Sequence, residues 1–114
     1  MIKILCVGKL KEKYWQDACQ EYLKRLTKYA QVELIEVVDE KTDDERQSLQ
    51  KEKERLEKLI NPRDYLITLE IEGESLSSLE LSKKLEKIRI ENPNITFIIG
   101  GSYGIHPDIK RQAM

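Results

Sequence analysis

The stretch "FIIGGSYGIH", residues 97–106, holds three of the five glycines in this sequence. An apolar, largely β-branched run leads into Gly100, Gly101 and Gly104, and His106 follows. Glycine is favoured where the backbone needs a positive φ, or where another group must come closer than a Cβ allows. The stretch therefore predicts either a tight turn after a buried strand or a ligand that lies against the main chain.

The strand that leads into this turn is the last of four similar runs. Each run is short and rich in Ile, Val or Leu, which is typical of strands buried inside a parallel sheet. Gly or Pro lies close to three of the four, where a strand would end or begin. We predict strands at residues 2–7, 32–38, 65–71 and 95–99.

Helical patterns separate the strands. The first has apolar residues at three- and four-residue steps, so its Trp15 and Tyr22 are expected to lie in the core. The second, residues 45–60, is mostly charged with a thin leucine stripe, and residues 42–45 offer a capping box before it. Another capping box at residues 77–80 opens a third helix.

The elements alternate as β-α-β-α-β-α-β, and the start of a further helix follows near Pro107. This alternation predicts an α/β fold in which a parallel sheet carries helices on both faces. Residues 1–114 form one domain without a linker, a repeat or a low-complexity segment. Ligands of such sheets bind at the carboxyl ends of the strands, and the glycine turn lies at that edge.

Composition narrows the class of protein. Charged residues make up 36% of the chain, but the formal net charge is −1, which does not indicate a general nucleic-acid binder. Both ends are basic and the middle is acidic, so a local basic face is compatible with the sequence. No signal peptide and no apolar run of membrane-spanning length is expected. Two distant cysteines and a single histidine match no zinc spacing, so we expect free thiols and no metal site.

The glycine turn matches neither common nucleotide motif. No Gly-Lys-Ser/Thr follows it, as a P-loop requires, and the dinucleotide fingerprint would follow the first strand rather than the fourth. A tight turn without a ligand is the simpler interpretation. Near the first strand, Lys9, Lys11 and Lys13 precede aromatic residues and could contact RNA phosphates and bases. A solvated helix start is an equally good interpretation of these lysines.

Three blocks of the sequence resemble successive blocks of one family. They are "IKILCVGKLKEKYWQDACQEYLKRL" at residues 2–26, "LITLEIEGESLSS" at residues 66–78, and "FIIGGSYGI" at residues 97–105. The family is RlmH, whose members are small SPOUT-class (α/β-knot) methyltransferases of bacteria. The resemblance implies an S-adenosylmethionine-dependent enzyme that methylates N3 of a pseudouridine in 23S ribosomal RNA of assembled ribosomes. It also implies a cytoplasmic homodimer.

The resemblance also implies which residues bind the cofactor. By position, Leu69 and Gly100 match the family's cofactor contacts, and Gly101 and Gly104 complete the same loop. The main chain of residues 99–104 would then lie near the adenine and ribose, and a side chain at Gly100 or Gly101 would occupy ligand space. The turn at residues 70–73 would form the opposite wall. No side chain is assigned as the general base, although His106 and Asp108 flank the loop.

The family's chain continues beyond this point with a strand, a loop and a final helix. Because this sequence stops at Met114, we expect an α/β-knot-type domain without the C-terminal knot-forming segment, and an inactive or weakly active chain. Two alternatives stay open at this stage. One is a non-catalytic α/β remnant, and the other is a flavodoxin-like protein that binds a nucleotide or phosphate at the same strand ends.

Overall fold

A computed structural model of the chain describes residues 1–8, 12–37, 44–70, 75–100 and 104–112. Strands and helices alternate through these ranges as predicted. In chain order they are β1 (Ile2–Val7), α1 (Lys13–Leu26), β2 (Val32–Val37), α2 (Glu45–Glu57), β3 (Tyr65–Leu69), α3 (Ser78–Glu91), β4 (Ile95–Ile99) and α4 (Pro107–Gln112). The first and last strands have the predicted bounds. Residues 38 and 71, at the predicted ends of the other two, lie outside the described ranges. The third strand was predicted too long, since β3 ends at Leu69 and Glu70 is not part of it.

The four strands form one parallel sheet in the order β2-β1-β4-β3. Leu5 of β1 pairs in register with Ile35 of β2 on one side and with Ile98 of β4 on the other. The predicted α/β class with a parallel sheet is therefore confirmed. The flavodoxin-like alternative is wrong, because that fold places β3 next to β1 whereas this chain places β4 there.

One face of the sheet carries the buried core. Alternate residues point to the same face of a strand, so Leu5, Leu66 and Ile98 meet above the middle of the sheet. Leu56 of α2 and Ile109 of α4 pack onto them and are 2% and 0% exposed. Burial of this apolar surface is the main driving force that holds these two helices against the sheet.

The opposite face is covered less completely. Leu85 and Ile88 of α3 lie beside Phe97, which alternates with the core residues of β4 and so points to the other face. Neither α1 nor α3 contains a fully buried residue. The prediction that Trp15 and Tyr22 lie in the core is wrong, since they are 56% and 65% exposed. Periodicity shows which side of a helix is apolar, but it does not show what covers that side.

Side-chain caps fix the starts of α2 and α3. The predicted capping box of α3 is confirmed: Glu80 N–H donates to Ser77 Oγ, and Ser77 N–H donates to Glu80 Oε1. The cap of α2 is Asp44, whose carboxylate accepts from the N–H groups of Arg46 and Gln47. Residues 42 and 43 of the box predicted at 42–45 lie outside the described ranges, and Asp44 is the described residue that caps the helix.

Cys6 and Cys19 are free thiols, each partly buried. Burial raises the pKa of the Cys6 thiol, and the nearby Glu36 carboxylate acts in the same direction. Among the described residues, no helix is long and apolar enough to span a membrane.

Candidate functional site

A cleft of about 250 Å³ lies at the carboxyl edge of the sheet. The strands are parallel, so the residues that follow β3 and β4 meet at this edge. Three of the residues predicted from the sequence line it together: Leu69, Gly100 and Gly104. The rest of the lining consists of Glu70, Ile99, Ile105 and Lys110. The structure therefore brings these predicted residues into one concave site.

The two described glycines of the turn have different physical reasons for being glycine. A Cβ on Gly100 would lie 2.5 Å from the carbonyl oxygen of Gly104 and 2.8 Å from Cγ1 of Ile105. Gly104 has a φ of +84°, and a Cβ there would meet open space. The group that comes close to Gly100 thus belongs to the turn itself. A tight turn is therefore enough to explain glycine at this position, without a ligand. Gly101 lies outside the described residues.

Two exposed apolar side chains stand beside this turn. Leu69 and Ile99 are register partners at the ends of β3 and β4, and they are 50% and 40% exposed. Neighbouring apolar side chains left open to water at the mouth of a cleft offer a surface for a flat, apolar part of a ligand. Only the main chain of Ile99 was expected near the ligand, and its register with Leu69 adds the side chain to this surface.

The cleft has an acidic wall. Glu70 follows β3 directly, and its Oε2 accepts a hydrogen bond of 3.1 Å from Thr68 Oγ1. Its Oε1 lies 3.1 Å from Nζ of Lys110 on α4. The turn at residues 70–73 was expected to form a wall of the site, and Glu70 does line the cleft, whereas residues 71–73 lie outside the described ranges. Lys110 was not predicted, because its approach to Glu70 depends on how α4 packs against the sheet.

His106 and Asp108 do not line this cleft. The Nδ1 atom of His106 accepts a hydrogen bond of 3.0 Å from the N–H of Asp108, so the imidazole caps a backbone N–H in the first turn of α4. The carboxylate of Asp108 lies 2.9 Å from Lys53 Nζ and 3.2 Å from Arg111. The hydrogen bond from Lys53 lowers the pKa of Asp108 and raises the pKa of Lys53. A carboxylate with a lowered pKa is a poor proton acceptor.

Lys13 is exposed at the first turn of α1. Because α1 follows the carboxyl end of β1, and β1 neighbours β4, this lysine lies at the same edge of the sheet as the cleft. Lys9 and Lys11 lie outside the described residues. Within the described ranges, no group of three or more His, Cys, Asp or Glu side chains is placed to hold a metal ion.

A larger groove of about 790 Å³ runs along α3 and reaches Ile2. It is lined by Leu85, Arg89 and other residues of that helix, and it contains none of the predicted site residues. We take the smaller cleft as the candidate site because strand ends, glycine turn and polar wall converge there, as is typical of parallel α/β sheets.

Comparison with known proteins settles the family. A family model described as "Predicted SPOUT methyltransferase" matches residues 1–114. This chain belongs to the SPOUT methyltransferase family. Its relatives include proteins named "Ribosomal RNA large subunit methyltransferase H" from Streptococcus uberis, Leuconostoc mesenteroides and Leuconostoc citreum, which are 46%, 44% and 48% identical to it. Each alignment covers 98% of this chain and 75% of the relative. The resemblance stated from the three sequence blocks is confirmed.

Proposed function

We propose that this SPOUT-family chain is an S-adenosylmethionine-dependent methyltransferase that acts on N3 of a pseudouridine in 23S ribosomal RNA of assembled ribosomes. The identity of 44–48% to relatives named as large-subunit ribosomal RNA methyltransferases carries this proposal. The cleft beside the glycine turn supports it independently. We further propose a cytoplasmic location and a homodimer.

The residues of the cleft suit this cofactor. Leu69 and Ile99 offer apolar surface to the adenine ring, and the carboxylate of Glu70 offers negative charge to a cationic ligand. The described cleft, at about 250 Å³, is smaller than the roughly 300–1,000 Å³ of typical small-molecule sites. It would therefore hold part of the ligand.

The bound cofactor would supply an activated methyl group on a sulfonium. Leu69, Gly100 and Gly104 would hold it, and transfer of the methyl group to N3 would replace the imide proton, which would pass to water, with S-adenosylhomocysteine as the product. None of the described side chains at the cleft is assigned as the proton acceptor, so the chain's contribution is to hold the two reactants in line. Positioning of this kind can supply a large part of the barrier reduction.

A homodimer is consistent with the surface of α1. The apolar side of this helix leaves Trp15, Tyr22 and Leu26 exposed, at 56%, 65% and 40%. Adjacent exposed apolar residues of this size are typical of surfaces that are covered by another chain.

The proposal is tested by methyl transfer to ribosomes that lack the modification. Labelled S-adenosylmethionine would be supplied, and the nucleosides of the 23S RNA would be separated and identified by mass spectrometry. The assay would use this chain and an extended chain, which we define as this chain followed by the C-terminal part of the Streptococcus uberis relative. Methylated pseudouridine in the extended-chain reaction is the expected result. If the extended chain is folded, and neither chain binds S-adenosylmethionine or transfers methyl groups, then the non-catalytic alternative is correct.

A further inference from the structure

We propose that Glu70 and Lys110 form an exchangeable ion pair, in which Glu70 makes the cleft selective for a positively charged ligand and Lys110 competes with that ligand. In the free protein Lys110 neutralises the carboxylate, and a cationic ligand group takes the place of the lysine when the cleft is filled. This inference rests on the proposed function, since the charged ligand in question is S-adenosylmethionine.

Glu70 is the fixed member of the pair. It directly follows β3, and the 3.1 Å hydrogen bond from Thr68 Oγ1 holds its Oε2. Thr68 lies inside the strand, where it pairs in register with Ile98 of β4. The side chain of Glu70 is only 26% exposed. Its carboxylate therefore stays in the wall of the cleft whichever cation it contacts.

Lys110 is the movable member. It lies on the short helix α4, and its side chain is 43% exposed, so its ammonium can be hydrated if it leaves the carboxylate. Ion pairs as exposed as this one contribute little to stability. The lysine can thus be displaced from Oε1 at small cost, while the acidic wall remains in place.

The methyl donor and the product of methyl transfer differ in charge, so this exchange can distinguish one from the other. S-adenosylmethionine carries a sulfonium charge that S-adenosylhomocysteine lacks. The α-ammonium group is common to both ligands, so the sulfonium is the charge that distinguishes them. When the donor is bound, its sulfonium replaces Lys110 at the Glu70 carboxylate, and when the product is bound, Lys110 keeps its place there. Glu70 therefore favours the donor over the product, and Lys110 reduces that preference because it competes with the donor for the carboxylate.

The test compares affinities for S-adenosylmethionine and S-adenosylhomocysteine by calorimetry on the extended chain. Lys110→Met removes the competing cation and should raise the donor-to-product affinity ratio about two- to fivefold, which is the range expected for one weak ion pair. Glu70→Gln removes the acceptor and should lower the ratio by a similar factor. In the Glu70→Gln background, Lys110→Met should have a smaller effect, because the lysine acts through that carboxylate.

Lys53→Met is the matched control. Like Lys110→Met, it removes one lysine from an ion pair that involves α4. Lys53, however, contacts Asp108 and does not line the cleft. Its affinity ratio should equal that of the unsubstituted protein. Ratios that stay unchanged in Lys110→Met and in Glu70→Gln, with both ligands bound, overturn this inference and leave the proposed function intact. Absence of binding to both ligands in the unsubstituted extended chain overturns the proposed function itself.

Discussion

Gly100 and Gly104 belong to the same turn, and substitution at each should have a different cost. Gly100→Ala places a Cβ against the Gly104 carbonyl group, so the turn must shift, and we expect a loss of about 1–3 kcal/mol in the free energy of unfolding. Gly104→Ala meets no atom, but it must adopt a φ of +84°, at a cost of roughly 1–2 kcal/mol. Urea denaturation would measure both values.

Gly104→Asn is the control for this comparison. Asparagine tolerates a positive φ better than alanine does, so Gly104→Asn should be closer to the unsubstituted protein than Gly104→Ala. Equal losses for the two substitutions would show that space, rather than backbone conformation, selects glycine at this position.

The ion pair between Lys53 and Asp108 predicts a dependence of stability on pH. Because the pKa of Asp108 is lowered in the folded state, its contribution is present above the unfolded pKa, near the ordinary value of 3.8, and is lost as pH falls through the folded pKa. The difference in stability between the unsubstituted protein and Asp108→Asn should therefore be constant between about pH 5 and 8 and shrink below about pH 4.

Urea denaturation at a series of pH values would check this expectation. In a Lys53→Met background the same Asp108→Asn difference should be smaller at neutral pH, since the main partner of the carboxylate is gone. A difference that persists undiminished at the lowest pH would mean that the effect of Asp108→Asn does not come from the carboxylate charge.

Residue-level features could be predicted where the partners are close in sequence. The capping box at Ser77 was found because its two members are three residues apart. A tight turn was one of the two reasons offered for Gly100, and its close contact with Gly104 is local. The pairs of Glu70 with Lys110 and of Lys53 with Asp108 were not foreseen. Both pairs depend on packing between elements that are distant in sequence, which local spacing does not reveal.

The helices differ in how much of their apolar surface is buried. The same leucine-to-alanine substitution on two helices would show this difference as a difference in stability. Leu56 of α2 is 2% exposed and Leu79 of α3 is 66% exposed. Leu56→Ala should reduce the free energy of unfolding by about 2–5 kcal/mol, because it leaves a cavity in the core. Leu79→Ala should change it by less than about 0.5 kcal/mol. Similar losses at the two positions would show that α3 is buried in solution, by self-association for example.

The start of α1 tests the proposed contact with RNA. Replacing Lys9, Lys11 and Lys13 with Gln in the extended chain should reduce methylation of ribosomes without changing affinity for S-adenosylmethionine. The reason is loss of local positive charge that acts on phosphates, so the reduction should become smaller as salt concentration rises. Unchanged ribosome methylation at physiological salt would assign these lysines to a solvated helix start.

At the level of elements, the order and type of every helix and strand could be predicted, because apolar periodicity is a local property. Burial of the helices was predicted less well. The conspicuous apolar stripe of α1 is exposed, whereas the thin stripe of the charged helix α2 contributes Leu56 to the core. Coverage is decided by the handedness of the connections and by the order of the strands, which no single helix encodes.

The unequal coverage of the two sheet faces predicts differences in activity and stability between this chain and the extended chain. Around β4, one face of the sheet is well covered and the other carries helices without a fully buried residue. We expect this chain alone to show no detectable methyl transfer and at most weak binding of S-adenosylmethionine, and to be less stable than the extended chain. Parallel assays of turnover, affinity and thermal unfolding would measure these differences. Comparable turnover by the two forms would show that residues 1–114 suffice for activity.

The position of β1 has a consequence for how the chain is made. Ile2 lies between Val32 of β2 and Ile95 of β4, so the first strand to be synthesised receives one of its two neighbours only after most of the chain has been translated. At typical rates of about 5–20 residues per second, β4 follows β1 by roughly 5–20 s. During that interval β1 exposes a row of unpaired backbone groups, the feature by which unfinished sheets attract foreign strands. A nascent chain of this family should therefore need chaperone protection until its fourth strand has left the ribosome.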